Sequence, residues 1–151
     1  MNNKIKILHI ITHLETGGAL DNTIQTIKLL NKNIFNITFM SSPYGNWKKK
    51  VEEIDGINFE YIKYLKRSIN PFYDLLAFFH IFYILYKNDF DIVHTHSSKP
   101  GVIGRIAAKL LGVKIIIHTI HGLSYNVYMP RWKQKILILI ERCLCFYTDK
   151  V

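Results

Sequence analysis

The sequence DIVHTHSSKPGVIGRIAAKLLGVKIIIHTIHG, residues 91–122, decides the fold of this chain. Residues 91–96 form a short stretch rich in β-branched side chains, which is typical of a strand. Apolar residues then recur at helical spacing over residues 102–111, and Gly112 follows as a residue that commonly ends helices. Residues 114–120 are almost continuously apolar, which is typical of a strand covered on both faces. The stretch therefore predicts a strand, a helix and a second strand parallel to the first.

The polar residues at the start of this helix allow two interpretations, helix capping and anion binding. Pro100 suits the first helical turn, because its missing N–H costs nothing there. Ser97 and Ser98 lie just before it, where a hydroxyl can cap free backbone N–H groups. The same helix N-terminus, next to Lys99, also attracts anions. Capping is the favoured interpretation for either serine taken alone.

Four histidines gather where the two strands end, namely His94, His96, His118 and His121. Open α/β sheets bind their ligands at this edge. His94 and His96 face the same side of their strand and could hold a metal, but no carboxylate or cysteine of suitable spacing completes such a site. Packing and hydrogen bonding are therefore favoured for them, and no metal or cofactor is expected. For His121, beside Gly122, ligand contact and packing stay equally open.

The rest of the chain continues the alternation of strands and helices. Further strands are predicted over residues 4–12, 36–42 and 58–63, and further helices over residues 20–30, 47–54, 71–87 and 131–146. Residues 147–151 are predicted to start a sixth strand. This pattern predicts an α/β fold, a Rossmann-like doubly wound parallel sheet, as a single domain over residues 1–151.

A glycine pair, Gly17 and Gly18, lies between the first strand and the following helix. Glycine permits positive φ and close approach of the backbone to a ligand, so the pair is a candidate cradle for a phosphate or a sugar. The full G-x-G-x-x-G fingerprint is absent, so a nicotinamide cofactor is not expected.

The net charge of +9 over 151 residues predicts an anionic partner. Nucleic acid is not expected, because no helix-turn-helix, RNA-binding or zinc-finger spacing is present. No apolar stretch approaches the roughly 20 residues of a membrane span, and the N-terminus does not resemble a signal peptide. A cytoplasmic location follows as an expectation. Lysines interleaved with aromatic residues, as at residues 47–50 and 131–133, suit either a solvated face or an anionic membrane surface.

Three stretches resemble the N-terminal half of glycosyltransferase family 4, the retaining enzymes of the two-domain GT-B type. They are KILHIITHLETGGA at residues 6–19, FDIVHTHSSKPGVIGRIAAKLLGVKIIIHTIHG at residues 90–122 and ERCLCFYTDKV at residues 141–151. The resemblance implies a Rossmann-like acceptor domain that faces a second such domain across a cleft. It also implies transfer of a sugar from a nucleotide diphosphate sugar to a lipid-linked or saccharide acceptor, often in bacterial surface polysaccharide synthesis.

The same resemblance assigns roles to residues. Gly17 and Gly18, with Gly122, are implied to approach the donor, and His121 is implied to lie beside the transferred sugar as the catalytic candidate. The implied acceptor-side residues are His13, His96, Ser97 and Lys99.

The resemblance implies that a C-terminal domain with paired glutamates in an E-x7-E pattern holds most of the donor, and the expectation is that this domain is absent. We therefore expect the chain to be inactive alone and to need a separately supplied C-terminal domain. The alternatives are a non-catalytic module that binds an anionic membrane or a partner, and the relic of a truncated gene.

Overall fold

A computed structural model describes residues 4–122 and 128–151 of the chain. In these ranges one parallel sheet has the strand order β3-β2-β1-β4-β5. The strands are β1 (Ile5–Ile10), β2 (Phe35–Ser41), β3 (Ile57–Tyr61), β4 (Ile92–His96) and β5 (Ile115–Thr119). The helices are α1 (Gly18–Leu29), α2 (Lys48–Glu52), α3 (Pro71–Asn88), α4 (Ser98–Leu110) and α5 (Arg131–Cys145). The predicted doubly wound α/β fold is confirmed, and the helix and strand ends lie within two residues of their predicted positions.

Two apolar cores lie on the two faces of the sheet. Strand alternation sends Leu8 and Val93 to one face, where buried residues of α3 and α4 cover them. It sends Ile7 and Phe39 to the other face, where α1 and α2 cover them. Helix α5 packs against α4 and so extends the first of these two layers beyond the sheet.

Helix α4 begins two residues before Pro100, which still lies in the first turn. Ser97 occupies the N-cap position but makes no side-chain capping bond. Its Oγ instead lies 3.0 Å from Oγ1 of Thr12. Ser98 is already helical, so the predicted serine capping is wrong.

The C-terminus of α4 has the predicted glycine. Gly112 has φ of 68°, its N–H donates to the Lys109 carbonyl, and the Val113 N–H donates to the Ala108 carbonyl. These two bonds define a Schellman motif, which satisfies carbonyls that a helix end leaves free.

Residues 147–151 follow β5 along the sheet edge. Lys150 forms a parallel bridge with Ile117, and its carbonyl accepts the His118 N–H at 2.9 Å. The predicted sixth strand is thus a single bridge in the described part of the chain.

Candidate functional site

The site lies where the strand order reverses. From β1 the chain builds the sheet towards β3, and from β4 it builds towards β5, so the crevice between the ends of β1 and β4 is the topological switch point. The hydroxyls of Thr12 and Ser97 meet across this crevice at 3.0 Å. Helices α1 and α4 both begin at this edge, so their N-terminal dipoles favour negative charge there.

Ser97 links β4 to α4 through a strained backbone. Its φ of 66° and ψ of 161° lie in a region that is essentially restricted to glycine. Its carbonyl accepts the Gly101 N–H at 2.9 Å, and its side chain pairs with Thr12. Such strain persists only where the surroundings fix it, and it concentrates at ligand sites.

Three imidazoles form a hydrogen-bonded row from the core to the surface. Nδ1 of His9 lies 3.1 Å from Nε2 of His96, and Nδ1 of His96 lies 3.2 Å from Nε2 of His121. His9 and His96 are fully buried, whereas His121 is partly exposed. We call His9, His96 and His121 the histidine chain. Sequence reasoning missed His9, because a histidine inside an apolar strand gives no signal of its neighbours on another strand.

Burial keeps these imidazoles neutral at pH 7. It lowers the pKa of His9 to about 3 and that of His94 to about 4, in both cases with neighbouring imidazoles adding to the effect. Burial also lowers the pKa of His96 and of His121. A neutral imidazole carries one N–H and one lone pair, so each member of the histidine chain can donate on one side and accept on the other.

His9, His94 and His96 could offer three ligand atoms within 4.8 Å of one another to a metal. The contacts favour hydrogen bonding instead. The ring centroids of His9 and His96 are 5.5 Å apart, about the N···N distance plus one ring radius at each end, so their nitrogens point at each other. The His94 ring lies against His96 with centroids 4.1 Å apart, and its Nε2 lies 2.8 Å from Oγ1 of Thr119. The expected absence of a metal stays a prediction.

His118 lies on the opposite face of the sheet, where its ring is buried and also lines the cavity described below. Its Nδ1 lies 2.9 Å from Oγ1 and 3.1 Å from the carbonyl oxygen of Thr95. A Cβ built on Gly101 would come within 2.5 Å of the His118 ring, so only glycine fits there without a shift. Burial, and then the charge of Arg105, lower the pKa of His118.

Arg105 anchors α5 beside this packing. Its side chain is fully buried, and its Nη2 donates to Glu141 of α5 at 2.7 Å. Its Nε donates to the Gly101 carbonyl. The pair therefore fixes α5 against α4, and Glu141 also lines the cavity described next.

A cavity of about 190 Å³ opens between the ends of β4 and β5 and helix α5. Its lining includes Ser97, Ser98, His121 and Gly122 from the strand ends and Glu141 and Arg142 from α5. Sequence reasoning missed the last two, because charged residues on an amphipathic helix look like solvated surface. Small-ligand sites usually exceed about 300 Å³, so the cavity alone holds only part of such a ligand.

The donor-side glycines differ from expectation in their backbone. Gly17 is extended at φ 165° and Gly18 is helical, so neither has the expected left-handed conformation. Gly122 does not have it either. Among the described residues, a Cβ on any of the three would meet nothing within 4 Å, so open space, rather than backbone conformation, distinguishes these positions.

The acceptor-side candidates are dispersed. His96 has no exposed surface, so it stands behind His121 and does not line the cleft as expected. Lys99 is mostly buried in an ion pair with Asp74 and also donates to the Ser68 carbonyl. His13 is partly exposed, and its Nδ1 lies 2.9 Å from Oγ of Ser42. Of these four candidates, Ser97 alone is among the described residues that line the cavity.

The sequence model of the glycosyl transferase 4-like family matches residues 3–151. The chain is 33% identical over 149 residues to the Escherichia coli UDP-Gal:alpha-D-GlcNAc-diphosphoundecaprenol alpha-1,3-galactosyltransferase. It is 27% identical over 146 residues to the Staphylococcus aureus capsular polysaccharide biosynthesis glycosyltransferase CapM. These alignments cover 99% and 97% of the chain but 37% and 36% of the relatives, so the chain spans about a third of their length.

Solved structures agree in fold. A glycosyltransferase from Rickettsia africae superposes with a TM-score of 0.65 at 29% identity, over 89% of this chain and 33% of that one. Acinetobacter baumannii MurG superposes with a TM-score of 0.66 at 16% identity, over 96% of this chain and 40% of that one. Among the described residues, no helix combines the length and apolarity needed to cross a bilayer.

Proposed function

The chain belongs to the glycosyl transferase 4-like family, and from that premise we propose that it is the acceptor-side half of a retaining glycosyltransferase. It would act in transfer of a sugar from a nucleotide diphosphate sugar to a lipid-linked or saccharide acceptor. The observation that carries the proposal is the cavity at the carboxyl edge of the sheet, where partly exposed His121 meets the strained Ser97 turn.

His121 is the proposed catalytic residue. Its imidazole is neutral, because burial lowers its pKa, and it reaches the cavity from the end of the histidine chain. A neutral imidazole can hydrogen-bond a sugar oxygen without placing a cation beside the oxocarbenium-like transition state of glycosyl transfer. Ser97 and His13 are proposed to contact the acceptor.

The donor contacts are proposed at glycines that have open space around them. Gly17 and Gly18 stand at the N-terminus of α1, and no described residue occupies the position of a Cβ there. A diphosphate can therefore approach free backbone N–H groups closely, as anions do at helix N-termini. Gly122 offers the same freedom beside His121.

The cavity holds only part of a sugar nucleotide, so we propose that a second, donor-binding domain completes the cleft. Without the groups that neutralise the leaving diphosphate, the chain alone should not catalyse transfer.

The test is reconstitution. The chain is mixed with a separately produced donor-binding domain of a family member, and release of nucleoside diphosphate is measured with a panel of sugar nucleotides. We expect turnover only in the mixture, and a loss of about 100-fold or more in H121A, as for removal of one transition-state donor. H80A, on helix α3 away from the cavity, is the matched control and should keep full turnover. Neither association nor turnover with any donor, or full activity of H121A, would contradict the proposal.

A second candidate function, contact with an anionic membrane surface, has its own observation. Phe72, Leu75, Phe79, Tyr83 and Tyr86 follow one face of α3, and each is more than half exposed. We call these five residues the α3 stripe. The net charge is +9, and amphipathic helices with aromatic residues bind anionic bilayers in this way. Such contact would bring the cleft to an acceptor that is carried on a lipid.

Vesicle co-sedimentation tests this candidate. We expect the chain to sediment with vesicles that contain phosphatidylglycerol but not with pure phosphatidylcholine, and to dissociate as salt rises. Substitutions F72S and F79S together should abolish sedimentation, whereas L29S, at a still more exposed position on α1, should not. Equal sedimentation of the two variants would exclude the α3 stripe as the contact. Binding without any transferase activity after reconstitution would favour the non-catalytic module.

A further inference from the structure

The inner end of the histidine chain has an unpaired nitrogen. Nε2 of His9 is buried and has no hydrogen-bond partner in the described part of the chain. His9 itself is fully buried in β1, between β2 and β4 of the sheet. A buried polar atom without a partner is costly, so its protonation state affects the energy of the whole row.

Two arrangements of protons satisfy both contacts between the rings. In the outward arrangement, Nδ1–H of His9 donates to Nε2 of His96, and Nδ1–H of His96 donates to Nε2 of His121. The proton of His121 then lies on Nδ1. In the inward arrangement both bonds reverse. His121 then carries its proton on Nε2, and this N–H donates to Nδ1 of His96. Because each ring is neutral and holds one proton, the direction of one bond fixes the direction of the other.

The buried end separates the two arrangements. The outward arrangement leaves a lone pair on Nε2 of His9 unpaired, and the inward arrangement leaves an N–H unpaired at the same atom. Orphaned buried N–H groups are rarer in proteins than under-satisfied acceptors. The outward arrangement is therefore favoured, and the inner end of the row sets the state of its exposed end.

We propose that His9 and His96 are positioning residues that hold His121 with its proton on Nδ1, so that His121 presents a hydrogen-bond donor to the ligand in the cavity. This inference rests on the proposed function of His121, and it specifies the chemistry of the group that His121 contacts. That group must be an acceptor, such as a sugar hydroxyl oxygen or a phosphoryl oxygen. An ammonium group at the same place would find no acceptor on His121.

The imidazoles around the row are neutral and fit this arrangement, while the charged Glu141 and Arg142 line the cavity beyond His121. The ring of His94 lies tilted against His96 and pairs through Nε2 with Thr119, so it makes no demand on the nitrogens of His96. Burial lowers the pKa of each imidazole in the row, which disfavours a charged member that would donate in both directions. His118 lies on the other face of the sheet and bonds to Thr95.

The experiment reads the tautomers directly. The ¹⁵N-labelled full chain is studied at pH 7.5 by long-range ¹H–¹⁵N correlation spectroscopy, which distinguishes the Nδ1–H and Nε2–H forms of each histidine. We expect the Nδ1–H form for His9, His96 and His121, with about a tenfold excess or more, although exposed imidazoles in water prefer Nε2–H. His121 in the Nε2–H form would overturn the inference.

Two variants at the row separate positioning from mere packing. H96F removes the donor to His121, so we expect His121 to shift towards the Nε2–H form. H9N places an amide N–H where Nδ1 of His9 stands, so His121 should keep its proton on Nδ1. An unchanged His121 tautomer in H96F would overturn the inference. If H96F does not fold, the unmodified chain and H9N still test the inference. It requires the Nδ1–H form of His121 in both proteins, and it fails if either shows the Nε2–H form.

Addition of one equivalent of Zn²⁺ completes the test. We expect no change in the histidine signals, and a zinc-induced change in the ¹⁵N signals of His9, His94 and His96 would replace the hydrogen-bonded row by a metal site. None of these measurements needs a sugar nucleotide or a second domain. A failed reconstitution with the expected tautomers would therefore count against the proposed function, and active reconstitution with the wrong tautomers would count against this inference alone.

Discussion

The two faces of the sheet at strand β4 differ in how the polar atoms of their buried histidines are paired. On the face towards α4, His118 of the neighbouring strand has two contacts with Thr95 and packs on Gly101, and Arg105 beside it is paired with Glu141. We call this the packed face. On the other face, the histidine chain ends at a nitrogen that no described residue pairs, and the strained Ser97 follows at the end of the strand. We call that the histidine face.

The difference shows that burial alone does not identify a functional histidine. His96 and His118 are both buried, and burial lowers the pKa of both. The packed face pairs its polar groups within the protein and so stabilises the fold, and its His118 and Glu141 also line the cavity. The histidine face leaves one polar group unsatisfied and one backbone strained, costs that are expected where a site is held ready for a ligand.

The largest effect should come from breaking the buried ion pair of the packed face. E141L leaves the guanidinium of Arg105 buried and unpaired, so we expect a loss of about 3 kcal/mol in the free energy of unfolding, measured by urea denaturation. R67Q, which removes an exposed partner of Glu15, is the control and should leave the midpoint unchanged. A loss in E141L no larger than in R67Q would show that the packed face does not depend on this pair.

A smaller loss should follow from filling the contact between α4 and His118. A Cβ at Gly101 meets the ring at 2.5 Å, and two hydrogen-bonding contacts hold that ring in place, so G101A should cost about 2 kcal/mol. G18A is the matched control, because its Cβ meets nothing and alanine favours a helix. Thermal unfolding of both variants checks the difference. Equal stability of G101A and G18A would mean that His118 can move aside.

Acid should destabilise the chain mainly through the histidine face. The folded pKa values of His9 and His94, about 3 and about 4, lie below the unfolded value of 6.5. The unfolded state therefore takes up protons first, so stability is complete above pH 6.5 and falls as the pH drops towards 4. We expect a clear decrease in melting temperature between pH 7.5 and pH 5.

The variant H9N should flatten this pH dependence, and H80N, on α3, should not. If the melting temperature fell equally with pH in the two variants, His9 would not be the source of the acid sensitivity.

The smallest effect, and one of opposite sign, is expected at Ser97. S97G releases the strain at φ 66° but loses the hydroxyl contact with Thr12, so we expect a gain of at most about 1 kcal/mol in stability. S98G, inside the first turn of α4, should instead lose about 0.5–1 kcal/mol. Chemical denaturation of both variants decides. A clear loss in S97G would mean that the turn is not strained.

Much of the fold was predictable because its signals are local. Residues 91–122 alone carry a strand, a helix with its terminal glycine and a second strand, and the structure places all three within two residues of their predicted ends. The site was less predictable. His121 and Ser97 were expected at the carboxyl edge and do reach one cavity, but His96 was expected at the cleft wall and is buried behind His121.

The sequence by itself determined the order of strands and helices, because apolar periodicity and glycine positions act over a few residues. It also determined that several histidines end at one edge of the sheet, since parallel strands share their direction. Only the tertiary structure decided that His9, 87 residues before His96, becomes its neighbour. The pairing of β1 with β4 makes that contact, and strand pairing depends on packing across the whole sheet, which no short stretch of sequence encodes.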